Sequence, residues 1–147
     1  MTKDVMISIK GMQFEGNLNE GEDIEVIQQG HYYRRNGMHY LVFEEPVEGT
    51  DKVNKNMIKF NDKELSVTKK GVINVAMNFC EKVKNMTDYQ TPFGSIMIGL
   101  DTHDIKVMEK PNRLSLDVDY SLDVNYEFLS DCKIHIEARE MGGKLSL

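Results

Sequence analysis

Through most of this chain apolar and polar residues alternate one for one, and no other feature narrows its possible folds so far. The clearest run sets Leu114, Leu116, Val118, Tyr120, Leu122 and Val124 between Ser115, Asp117, Asp119, Ser121 and Asp123. Successive side chains of a strand point to opposite faces, so this run turns six apolar groups inward and mostly acids outward. A helix of 3.6 residues per turn would scatter the same aspartates round its cylinder and break any apolar stripe. Shorter runs repeat the pattern: Val5, Ile7 and Ile9; Ile73, Val75, Met77 and Phe79; Ile96, Ile98 and Leu100, then Ile105 and Val107; and Ile134, Ile136 and Ala138.

Turn signals punctuate these runs. Asn36-Gly37 joins residues 28–35 to 38–45, and Asn-Gly is a hairpin cue because both residues tolerate positive φ. Residues 61–63, 70–71, 101–104, 111–112 and 130–131 read as further breaks, and 81–88 as a helical turn or a longer loop. Strands at this spacing indicate a sandwich or barrel. Nine or ten of them fit the 147 residues, and no linker or repeat divides the chain, so one all-β domain over residues 1–147 is expected. A domain of this size buries roughly 68–70% of its unfolded surface and needs neither metal nor disulfide to fold. So many twisted strands curl, and closure removes their edges, so the expected architecture is a closed antiparallel β-barrel of eight to ten strands with little helix. Such a barrel is either filled by its own side chains or holds one small ligand.

Charge and motif content exclude more than they assign. The net charge of −6 opposes general nucleic-acid binding. No apolar run approaches the ~20 residues that span a bilayer, and an acid at Asp4 interrupts what would be a signal core, so a cytoplasmic protein is expected. Cys80 and Cys132 stand far apart and read as reduced thiols, with no C-x-x-C pair. His31, His39, His103 and His135 are scattered and read as surface histidines, so no metal and no cofactor is expected. No nucleophile elbow, phosphate loop or dinucleotide glycine motif occurs, no catalytic residue stands out, and the reading leans away from an enzyme.

Three patches remain as candidates. The 31–35 stretch, His-Tyr-Tyr-Arg-Arg, faces Met38-His39-Tyr40 across the hairpin, and Tyr33, Arg34, Arg35 and Tyr40 combine stacking surface with guanidinium groups that suit a carboxylate or phosphate. Cross-strand aromatic packing gives the same composition without a ligand. Residues 51–85 carry eight lysines against four acids, which reads first as a solvated strand face and second as an anion site. Residues 89–94, Tyr-Gln-Thr-Pro-Phe-Gly, read as a chain corner plugged by Tyr89 and Phe93, or as the rim of a cavity with Tyr89, Thr91 and Phe93 at its mouth.

That hexapeptide resembles the Tyr-x-Thr-Pro-(Phe/Tyr)-Gly signature of the YwiB-like bacterial family of unknown function. Lys69-Lys70-Gly71 before a strand with Met77 and Phe79, Thr102 after the signature, and the 114–120 strand are similar as well. The resemblance implies a cytoplasmic calycin- or lipocalin-like barrel and brings no catalytic residue with it. Ten methionines suit either an adaptable cavity lining or an irregular core. The leading expectation is a non-enzymatic binder of a small apolar or amphipathic molecule in or at the mouth of the barrel. The alternative is a filled barrel that meets a protein or anion through the Tyr33/Arg34/Arg35 hairpin or the lysine-rich segment.

Overall fold

The alternating runs become ten antiparallel strands in a computed structural model that describes residues 3–11, 25–72, 74–91 and 94–141. In chain order they are β1 (Lys3–Lys10), β2 (Glu25–Arg35), β3 (Met38–Pro46), β4 (Val53–Phe60), β5 (Glu64–Lys70), β6 (Val75–Cys80), β7 (Lys84–Thr91), β8 (Gly94–Lys110), β9 (Arg113–Val124) and β10 (Glu127–Glu140). The sheet order is β6-β5-β4-β3-β2-β1-β10-β9-β8-β7, a meander whose first and last strands are neighbours. Its two outer strands, β6 and β7, are consecutive in the chain and return to each other. The result is a nearly closed barrel.

Closure between β6 and β7 is irregular. Among the described residues, two isolated bridges join this seam, Cys80 with Val83 and Asn74 with Gln90. Between them, side chains stand in for the missing ladder: Thr87 Oγ1 donates to the Ala76 carbonyl at 2.6 Å, and Asn85 Nδ2 to the Asn78 carbonyl at 3.1 Å. Elsewhere the ladders are regular. The Asn36-Gly37 hairpin forms as its sequence predicts, with φ of 52° and 77° at its two residues.

The inward residues pack into one apolar core. Phe60, Phe79, Ile7, Leu41, Ile58 and Leu65 are among twelve side chains less than 2% exposed, and Leu116 and Val118 of the long alternating run are two more. Each stabilises the fold by roughly 1.5–3 kcal/mol relative to exposure. Tyr120 meets Phe79 edge-on at 5.0 Å between centroids, which fixes two large groups in one geometry.

Three expectations change. Residues 81–88 form neither a helical turn nor a long loop, but the two-residue turn Glu81-Lys82 followed by strand β7. Residues 101–104 do not separate strands, because β8 runs unbroken through a bulge between Thr102 and Asp104. The extra residue there restores inward orientation at Ile105 and Val107 after Leu100, a parity break that the sequence shows as an interruption. Residues 130–131 lie inside β10, beside a second bulge between Phe128 and Ser130, and the turn before that strand is Asn125-Tyr126.

Candidate functional site

Antiparallel meanders send alternate turns to alternate ends. The β2–β3, β4–β5, β6–β7 and β8–β9 turns therefore share one mouth of this barrel, together with the start of β1 and the finish of β10. Ladder parity turns Tyr32 and Arg34 of β2 and His39 of β3 inward at that mouth, Arg34 directly beside His39. From across the opening, Glu109 of β8 reaches both. Its Oε2 is 3.6 Å from Arg34 Nη1, and its Oε1 is 3.7 Å from His39 Nε2.

His39 is 4% exposed and packs 5.0 Å from the Phe60 ring. Burial holds its pKa below the usual 6.5, against the pull of Glu109 and Asp62, and Arg34 pushes the same way as burial. The ring is thus neutral at pH 7. A proton on Nε2 then faces Glu109, and Nδ1 accepts from the Tyr32 hydroxyl at 2.8 Å. Burial likewise raises the Tyr32 hydroxyl, which stays a donor.

Beside this network lies a recess of about 140 Å³, lined among others by Lys3, Tyr32, Glu109, Lys110, Arg113 and Glu140. Lys3 pairs with Glu140 at 2.9 Å. Lys110 and Arg113 have no ion-pair partner among the described residues. Lys3, Lys110 and Arg113 thus line the recess with Glu109 and Glu140, while Arg34 pairs with Glu109 and the charge of Arg113 also acts on Glu137. The volume suits a single oxyanion with its water rather than a drug-sized molecule, which needs ~300 Å³ or more.

A second polar cluster lies within the opposite end. Lys69, 5% exposed, pairs with Glu45 at 2.8 Å, and Asn54 and Asn56 each donate to Glu45 Oε1 at 3.4 Å. Burial alone would raise the Glu45 pKa, but the ammonium and the two amides outweigh it and hold the carboxyl below its ordinary value. Asn54 Oδ1 in turn accepts from the Val72 amide at 2.8 Å. Lys69 therefore does not belong to a solvated face as the lysine-rich segment was read. It is an interior charge with its partner beside it.

The residues singled out by sequence separate. Tyr33 and Tyr40 stack 4.7 Å apart, tilted by 8°, on the outer side of the hairpin, where Lys59 Nζ lies 5.6 Å over the Tyr40 ring. Arg35 is exposed. Only Arg34 of the hairpin set enters the mouth. Tyr89 is buried toward the other end, Thr91 pairs with Gly94 through its backbone, and Phe93 lies outside the described residues. His31, His103 and His135 are half-buried or exposed and hydrogen-bonded to Asp4, Ser121 and Asp117 at 2.7–2.9 Å, whereas His39 is interior and not a surface histidine. Among the described residues no group of three or more potential ligands could hold a metal ion. Sequence reading missed Lys3, Glu109, Lys110 and Arg113. Turn parity could have pointed to them, because hairpins an even number of turns apart share an end.

A nearly closed antiparallel barrel with a charged recess at one mouth is a class of architecture, and the chain belongs to a family with that fold. Residues 7–136 match the family described as a domain of unknown function, DUF1934. Among solved structures, that of the YwiB protein from Bacillus subtilis superposes with a TM-score of 0.76 over 97% of this chain and 94% of that one, at 19% identity. The resemblance read from residues 89–94 thus holds, and at this identity the likeness shows the fold alone. No curated protein matches the chain. No helix among the described residues is long and apolar enough to cross a membrane.

Proposed function

We propose that this protein is a filled-barrel binding module that takes an oxyanion, the carboxylate or phosphate group of a partner molecule, at the mouth formed by the β2–β3 and β8–β9 hairpins. The observation that carries the reading is that Arg113 and Lys110, which form no contact ion pair among the described residues, line a recess too small for most ligands but roomy enough for one such group. A guanidinium presents parallel donors that match an oxyanion bidentately. Glu109, held by Arg34 and His39, lines the same recess. The interior gives an apolar ligand less support. Such a molecule would have to displace side chains that are already buried in the core, and a cavity costs about what its lost contacts were worth.

Thermal melts in phosphate and in chloride at matched ionic strength test this. At ten times Kd, binding adds about 1.4 kcal/mol, which for a chain of this size is about 3–6 °C in Tm. Arg113→Ala is expected to abolish that gain, while Lys59→Ala on the outer face keeps it. A gain that survives Arg113→Ala, or none at any phosphate concentration up to saturation of general salt effects, overturns the reading. A small molecule retained by the purified protein in native mass spectrometry would revive the apolar alternative.

A further inference from the structure

Among the described residues, β8 carries a stretch of open edge beyond its bulge. Up to Thr102, β8 has neighbours on both sides: β7 pairs with residues 94–101, and the turn before β7 still exchanges bonds with Thr102. Beyond the bulge only β9 accompanies it. The two-residue Pro111-Asn112 turn makes Lys110 and Arg113 a hydrogen-bonded pair, so the alternation of the ladder aims the backbone groups of Ile105, Val107 and Glu109 away from β9. The first of these confirms the direction, because the Ile105 amide donates to the Glu81 side chain at 3.2 Å. The amides of Val107 and Glu109 have no partner among the described residues.

The side chains along this edge define what would suit it. Lys106, Met108 and Lys110 point outward, with Met108 55% exposed, and Lys106 shares a solvated pair with Asp104 at 3.7 Å. Val107 and Ile105 point inward onto the core. A second copy of the chain is a poor mate. Antiparallel pairing about Met108 would set Lys106 of each copy opposite Lys110 of the other, and like charges directly opposed destabilise. We infer that residues 105–110 of β8 receive an extended peptide segment of a partner protein, added as a further strand, with acidic residues outward beside Lys106 and Lys110 and small apolar residues inward beside Val107. Backbone bonds supply the affinity and the lysines the selectivity.

Hydrogen exchange followed residue by residue, with a capped eight-residue peptide of alternating Glu and Val as probe, tests this. The free protein is expected to exchange Val107 and Glu109 quickly and Lys106 and Met108 slowly. The Glu-Val peptide is expected to slow Val107 and Glu109 at least tenfold. The same peptide N-methylated on alternate amides, and a Lys-Val analogue, are expected to slow them less than twofold. Val107→Pro removes a donor that the β8–β9 ladder does not use, so it should abolish capture; the N-methyl peptide answers the same question should that variant not fold. Arg113→Ala should leave peptide protection unchanged, which distinguishes strand addition from oxyanion binding although Glu109 and Lys110 border both. Unchanged exchange with the Glu-Val peptide, equal protection by the Lys-Val peptide, or concentration-dependent protection of Val107 without any peptide would each overturn the proposal.

Discussion

At the scale of single residues, orientation decides cost. Val118 is fully buried and its neighbour Asp119 stands on the opposite face, cross-strand from Lys133. Val118→Asp would place an unpaired charge among apolar side chains, several kcal/mol against a typical stability of 5–15, and is expected to leave the domain unfolded at 37 °C. Asp119→Asn is expected to melt within about 0.5 kcal/mol of the parent. Equal melts for the two would reverse the assignment of faces. The Lys69–Glu45 pair gives a second contrast. Lys69→Ala strands a half-buried carboxylate and is expected to cost about 2–4 kcal/mol in urea unfolding, whereas Lys69→Met with Glu45→Leu should return to within ~1 kcal/mol of the parent. Only the first face assignment was legible in the sequence. Alternation marks Val118 as inward, but it cannot mark Lys69, which sits at an inward position in phase with Leu65 and Val67 and looks like any other strand lysine until Glu45 is seen beside it.

At the scale of elements, the sheet is least secure where the chain closes it. Asn85 and Thr87 carry the seam with side-chain bonds in place of a ladder, and the carbonyls they satisfy belong to exposed residues that water can reach. Thr87→Val with Asn85→Ala is therefore expected to cost only about 1–2 kcal/mol. Its sharper mark is local: amide exchange should rise across residues 75–80 and 84–91 and stay unchanged in β9 and β10, and a uniform rise would assign the seam no separate opening. Strand identity was readable because the period of two persists through nearly every element. What escaped were the bulges in β8 and β10. One inserted residue flips the parity, and a sequence reader takes a flipped parity for a turn.

For the whole molecule, acid is the informative perturbation. His39 and Glu45 both have depressed pKa values in the fold, so the unfolded chain binds their protons more tightly and stability falls as pH drops. The losses occupy different windows. For His39 the loss begins as pH passes below the usual 6.5, and for Glu45 below the usual 4.5, ending in each case at the folded-state value. Tm measured from pH 8 to pH 3 is expected to fall in two stages, and His39→Gln to flatten the upper one alone. An unchanged profile in that variant would mean the imidazole is not the group titrating. The barrel was legible at this scale from strand count and turn spacing. The mouth was not, since Arg34 and Glu109 meet only through the order in which strands are laid down, which alternation along each strand does not encode.

The adjacency of β1 and β10 bears on how the molecule is made. A ribosome delivers β10 on the order of a hundred residues after β1, at 5–20 residues per second. For on the order of ten seconds the nascent sheet shows β1 with one flank bare, attractive to any extended stretch nearby. Synthesis, rather than the finished protein, is thus when this chain has most need of a chaperone.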